Sequence, residues 1–204
     1  IYYILNLVKY PNPFLSQIHI MKKTIATLGI ILASTVTSQA AVVMGDLAIV
    51  GFNSDDTDNF HVLALNEIAS GETLLFTDNG WLSSGSFRDN EGTKTYTVGA
   101  TIAAGSIIEI GVSEGAGTAP SLAASGDQVL IFTGSNESPT FVYGLNDDGA
   151  GVWQANATSS NNSALPTGLV NGTTAVAINE IDNAVFDFDN NGAPKTGEQW
   201  LAAI

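Results

Sequence analysis

SIIEIGV, residues 106–112, decides how this chain is read. Ile108, Ile110 and Val112 fall on one side of an extended segment, and Ile107, Glu109 and Gly111 fall on the other. Side chains alternate across a β-strand with a period of two, so this pattern predicts a strand with one buried face. KTYTV (94–98) alternates in the same way, Thr95 and Thr97 against Tyr96 and Val98. Outward from these two lie GDLAIVGF (45–52), FHVLAL (60–65), TLLFT (73–77), DQVLIFTG (127–134), TFVYGL (140–145), TAVAI (ending at 178) and NAVFDF (183–188). The runs are short, rich in Val, Ile, Thr, Phe and Tyr, and separated by Gly, Asn, Asp and Ser clusters. Such spacing predicts an all-β fold, an antiparallel sandwich or barrel. No long helical pattern lies between the runs, which argues against a parallel α/β sheet.

One internal echo stands out. Glu67-IASGETLLFT and Thr101-IAAGSIIEIG align at an offset of 34 residues. Each reads as a turn feeding a strand, with Gly71 and Gly105 free to take positive φ. Two similar sheet corners in one sandwich account for the echo without a repeat architecture. The segments 82–93 and 146–172 are too long for tight turns, which predicts functional or mobile loops.

The chain also carries an export pattern. Met21 is followed by Lys22 and Lys23, an uncharged and mostly apolar stretch from Thr24 to Thr37, and then Ser38-Gln39-Ala40. That is the order of a signal peptide at 21–40, with cleavage expected after Ala40. The apolar stretch is shorter than the roughly 20 residues that span a bilayer. Residues 1–20 precede this start and are read as a mis-called upstream segment. Residues 41–204 then form one domain by length. After the leader only Arg88, Lys94 and Lys195 oppose 20 acids, a formal charge of −17, and no cysteine is present. Such a surface repels nucleic acid and anionic lipid, and suits divalent cations or simple solubility.

DFDNNGAPKTGE, residues 187–198, matches the twelve-residue calcium loop pattern, with Asp187, Asp189, Asn191 and Glu198 as ligands and Gly192 at the turn. The flanks read differently. Asn179, Asp182 and Asn183 would face inward on a preceding helix, whereas Ala184, Phe186 and Phe188 form a clean strand face. Thr196 to Gln199 fits a capping box, and Trp200, Leu201 and Ile204 follow on one side, which predicts a short C-terminal helix. A second acidic group, Asp55, Asp56 and Asp58, reads as a solvated hairpin loop or a cation-bridged one. Asp78-Asn79-Gly80 and Asp147-Asp148-Gly149 read as turns. Trp81 and Trp153 each follow a Gly-rich turn, either as core plugs or as platforms for sugar rings. His61 is the only histidine after the leader and sits in a strand, where a structural role is expected. The sequence offers no nucleophile–base pair and no phosphate or dinucleotide fingerprint, so no enzyme activity is expected.

Taken together, MGDLAIVGFNSDDTDNFHVLALNEIASGETLLFTDNGW, EGTKTYTVGATIAAGS, GDQVLIFTGS, SPTFVYGLN and ALPTGLVNGTTAVAINEIDNAVFDF resemble a group of secreted bacterial proteins. Many of that group carry a C-terminal sorting signal of the PEP-CTERM type, and their layout is similar to lamin-tail-like β-sandwich domains. The resemblance spans nearly all of 45–204, with the pairing of GDLAI and FTDNGW its most specific part. It implies an Ig-like or jelly-roll-like sandwich, export, and retention at the cell surface. The chain stops inside its last predicted helix, so the domain is expected to continue beyond Ile204. The expectation is a non-catalytic adhesive or structural module of the cell envelope or extracellular matrix, with an extracellular polymer or surface component as partner and calcium as its one candidate cofactor. The alternatives are a carbohydrate-binding module using Trp81 and Trp153, or an accessory domain of a larger secreted hydrolase.

Overall fold

A computed structural model describes residues 41–55, 57–111 and 113–188. Twelve strands occur in them: β1 (Leu47–Asn53), β2 (Asn59–Ala64), β3 (Thr73–Thr77), β4 (Trp81–Leu82), β5 (Ser86–Phe87), β6 (Thr93–Thr97), β7 (Ile107–Ile110), β8 (Ala116–Gly117), β9 (Gln128–Ser135), β10 (Ser138–Asn146), β11 (Ala175–Ala177) and β12 (Asn183–Val185). All nine runs predicted from alternation and composition are among them, and no helix is found among the described residues. The predicted C-terminal helix lies outside the described residues. No helix among the described residues is long and apolar enough to cross a membrane.

A four-stranded antiparallel sheet runs in the order β12-β1-β2-β7. A six-stranded sheet runs β11-β10-β9-β3-β6-β8, and it is mixed because β11 lies parallel to β10. β4 and β5 form a separate hairpin. Leu47, Phe60, Val62 and Ile110 from the four-stranded sheet share one core with Leu74, Phe76, Val129, Ile131 and Leu145 from the six-stranded sheet. The result is a sandwich-like arrangement closed by apolar burial between its layers. The Phe60 and Phe76 rings meet at 5.4 Å between centroids, one from each sheet.

The six-stranded sheet is buried on its other face too. Along β9, Val129 and Ile131 enter the main core, while Leu130 and Phe132 enter a second one with Trp81, Phe87, Phe141 and Leu169. The second core is roofed by the β4–β5 hairpin and the segment after β10. These are the two long segments of the sequence, and they are stitched together rather than free. Trp81 N–H donates to Ser163 Oγ at 2.8 Å, Ala164 N–H to the Trp81 carbonyl at 2.9 Å, and Ser83 N–H to Asn156 Oδ1 at 2.8 Å.

Two register shifts adapt strict alternation to this layering. One between Ile49 and Gly51 keeps Leu47, Ile49 and Phe52 on the core face while Gly51 and Asn53 turn outward. Another between Phe141 and Tyr143 sends Phe141 to the second core and Tyr143 to the first. Bulges of this kind insert one residue and flip the facing of the rest of the strand. The two echoing corners also meet. Ile68 and Ile102, equivalent positions in the echo, exchange both backbone hydrogen bonds at 2.9 Å. Gly71 and Gly105 take φ of 93° and 85°.

Since Phe76 is fully buried between the sheets, Phe76→Ala is expected to lower unfolding free energy by about 3–5 kcal/mol, read from the denaturant midpoint at unchanged slope.

Candidate functional site

The segment Asp78-Asn79-Gly80-Trp81 leaves the end of β3 and organises one end of the fold. Asn79 is buried and saturated. Its Oδ1 accepts from Asn90 N–H at 2.8 Å and Glu91 N–H at 2.9 Å, and its Nδ2 donates to the Glu91 carbonyl at 3.0 Å. Gly80 lies so close to the Asn162 carbonyl that any Cβ would strike it. Trp81 is 5 % exposed, with edge contacts to Phe141 at 4.8 Å and Phe87 at 5.1 Å. The predicted turn is not formed: residues 78–80 run as an irregular link from β3 to β4, held by these tertiary contacts.

Around it gathers a group of inward-turned carboxylates. Three of them, from three parts of the chain, hold three successive backbone N–H groups. Ser121 N–H donates to Asp78 Oδ2 at 2.7 Å, Leu122 N–H to Asp58 Oδ2 at 2.9 Å, and Ala123 N–H to Asp127 Oδ2 at 2.8 Å. Asp147 Oδ1 in turn accepts from Asp127 N–H at 2.6 Å. The cost of this arrangement is desolvation, which disfavours the charged form. Burial pushes the Asp127 carboxyl up to about 8 and that of Asp147 to about 6. Burial, reinforced by the Asp78 charge, raises Glu91 to about 7. Asp78 and Asp58 are also raised, chiefly by burial. Asp78 Oδ1, Glu91 Oε2 and Gln128 Oε1 are buried and accept no hydrogen bond.

The outer face of the four-stranded sheet is the second polar region. Asn183, Asn53 and Asn59 stand side by side on β12, β1 and β2. In the next row Val185, Gly51, His61 and Glu109 lie across β12, β1, β2 and β7. The His61 ring leans over Gly51, where a Cβ would come within 3.4 Å of Nδ1. Asn53, Asn59, His61, Asn183 and Val185 of these rows line a surface cleft of about 330 Å³. Asp55 closes one end, its Oδ2 accepting from Asn183 Nδ2 at 2.5 Å and its N–H donating to Asn53 Oδ1 at 3.0 Å.

The residues singled out from sequence are thus dispersed. Asp55 and Asp58 do not converge, since one binds Asn183 and the other Leu122 N–H, and Asp56 lies outside the described residues. Asp187 is exposed at the end of the described chain, and Asp189, Asn191 and Glu198 lie outside it. Among the described residues no three His, Cys, Asp or Glu side chains gather as a metal-holding group. Trp153 is half-buried on the second core, its Nε1 donating to Asn171 Oδ1 at 3.1 Å. Trp81, buried among phenylalanines, offers a sugar no open ring face. Sequence reading passed over Asp127 and Glu91, and gave Asp147 only a place in a turn. It also passed over the face formed by Asn53, Asn59, His61 and Asn183, although the alternation of NFH (59–61) and NAV (183–185) puts those residues on one side of each strand. Comparison with protein-family models, curated proteins and solved structures finds no match to this chain.

The folded state holds protons on Asp127, Glu91 and Asp147 at pH values where an unfolded chain has lost them. Their contribution is complete below the ordinary carboxylate range and is lost as pH rises toward about 8. The midpoint of thermal unfolding is therefore expected to be higher at pH 5 than at pH 8, with Asp127→Asn narrowing the difference. Equal midpoints in the unsubstituted chain would contradict this account of the cluster.

Proposed function

We propose that this chain is a secreted, non-catalytic interaction module, an Ig-like or jelly-roll-like sandwich of lamin-tail-like layout, acting at the cell envelope or in the extracellular matrix. One observation carries the reading. Four of the five carboxylates that burial raises, Asp58, Asp78, Asp127 and Asp147, are spent on backbone N–H groups of residues 122, 121, 123 and 127, which makes them architecture rather than reagents. The open polar surface lies on a different sheet, built on rigid strands, as suits a binding face. The signal-peptide pattern at 21–40 and the acidic composition support action outside the cell. Its partner in this reading is an extracellular polymer or a cell-surface component.

The open face also favours the carbohydrate-binding reading, transferred from the tryptophans to the sheet. An accessory role beside a secreted hydrolase is compatible with the same face. Calcium enters through the 187–198 loop, where Asp187, Asp189, Asn191 and Glu198 supply the donor pattern.

The full chain, purified and mixed with envelope and matrix fractions of the source organism, is expected to co-sediment with one of them; a chain left wholly in the supernatant overturns the interaction reading. If the 187–198 loop binds calcium, millimolar Ca2+ raises the melting temperature, EDTA reverses the rise, and Asp189→Ala abolishes it. No shift in the unsubstituted chain removes calcium from the proposal.

A further inference from the structure

The outer face of the four-stranded sheet carries polar groups that the fold does not use. Among the described residues, neither the Asn59 amide nor the His61 imidazole has a hydrogen-bond partner, while Asn53 and Asn183 are tied only to Asp55. The three asparagines share a register row. They span two strand spacings, about 10 Å, the length of a disaccharide. A carboxamide both donates and accepts, which matches a hydroxyl that does the same. In the next row the His61 ring leans over the buried Gly51, and Val185 stands 78 % exposed at the margin. A pyranose offers hydroxyls at its rim and C–H groups on its flat side. The row of amides and the exposed Val185 side chain meet those two needs.

Charge narrows the class. Asp55 and Glu109 border the face, Asp182 lies exposed beside Asn183, and the chain as a whole carries −14. Polyuronates and sulfated glycans are repelled by such a border, and neutral ones are not. The unused groups are side chains standing up from the sheet, not the backbone edge of β12. A peptide adding as a strand would use that edge and leave the asparagine row idle.

We infer that the Asn59–Asn53–Asn183 row, with His61 and Val185, is a binding face for a neutral, hydroxyl-rich polysaccharide. The inference rests on the interaction-module reading and names its ligand class. It places recognition on the sheet opposite to Trp153, so substitution of that tryptophan leaves binding intact.

Native affinity electrophoresis of the full chain tests it, with laminarin, glucomannan and hydroxyethyl cellulose as neutral probes and alginate as the anionic one. Retardation by at least one neutral probe and none by alginate is expected. Asn59→Ala combined with His61→Ala should weaken it at least about tenfold, near 1.4 kcal/mol. The unfolding midpoint should change little, because both side chains are half-buried outside the core and carry no hydrogen bond among the described residues. Asn59→Asp, which keeps the shape and adds a charge, should weaken binding likewise and serves where the double variant fails to fold. Trp153→Ala should bind as the unsubstituted chain does. The inference is overturned by no retardation with any neutral probe, by retardation only with alginate, by full binding in the folded double variant, or by loss in folded Trp153→Ala. If co-sedimentation with the envelope persists while all three neutral probes fail, the ligand class alone is wrong. If both fail, the interaction reading goes too.

Discussion

A central strand pair buried on both faces is the constraint on which the rest of this structure depends. β9 and β10 are apolar on both sides, and an antiparallel sheet cannot leave Leu130, Phe132 and Phe141 in water without forfeiting much of its stabilisation. One face is covered by the four-stranded sheet, as in any sandwich. The other must be covered by something the chain has left over, and the β4–β5 hairpin and the segment after β10 are what remain. Their packing is why Trp81 is a core residue and why Gly80 admits no side chain.

That layering also divides the polar groups. At the end of the six-stranded sheet the covering segments bring carboxylates into the interior, where backbone N–H groups receive four of them. Asp58, Asp78 and Asp127 bind consecutive residues of one loop, and burial shifts each toward its neutral form. A chain with so few bases has little else to offer its buried acids. The outer face of the four-stranded sheet, around Asn53 and Asn59, keeps its side chains toward solvent, and there the amides remain available. The same composition therefore gives a locked end and an open face.

Much of the fold was legible in the residues. SIIEIGV alternates as read, with Ile110 buried and Ile107 and Glu109 exposed on β7. The echo at 67–77 and 101–111 is two corners, which pair with each other. Legibility failed where alternation is broken. Strict period two would put Ile49 and Phe52 on opposite faces, and the bulge between them was invisible because no residue type demands it. The unbroken VLIF run of β9 did carry a signal of double burial, since a strand with one wet face alternates. The candidate site was the least legible part. Asp127 and Asp147 lie 20 positions apart, and Asp58 and Leu122 lie 64 apart, so no local spacing joins them.

The sequence by itself determined that this is a chain of short strands, acidic outside its leader pattern, because periodicity and composition are local quantities. Tertiary structure alone decided which acids lose water, which tryptophan is enclosed, and which asparagines stand in one row. Those outcomes depend on strand order, register and bulges, which are set by how two apolar layers and their covering segments fit together in space.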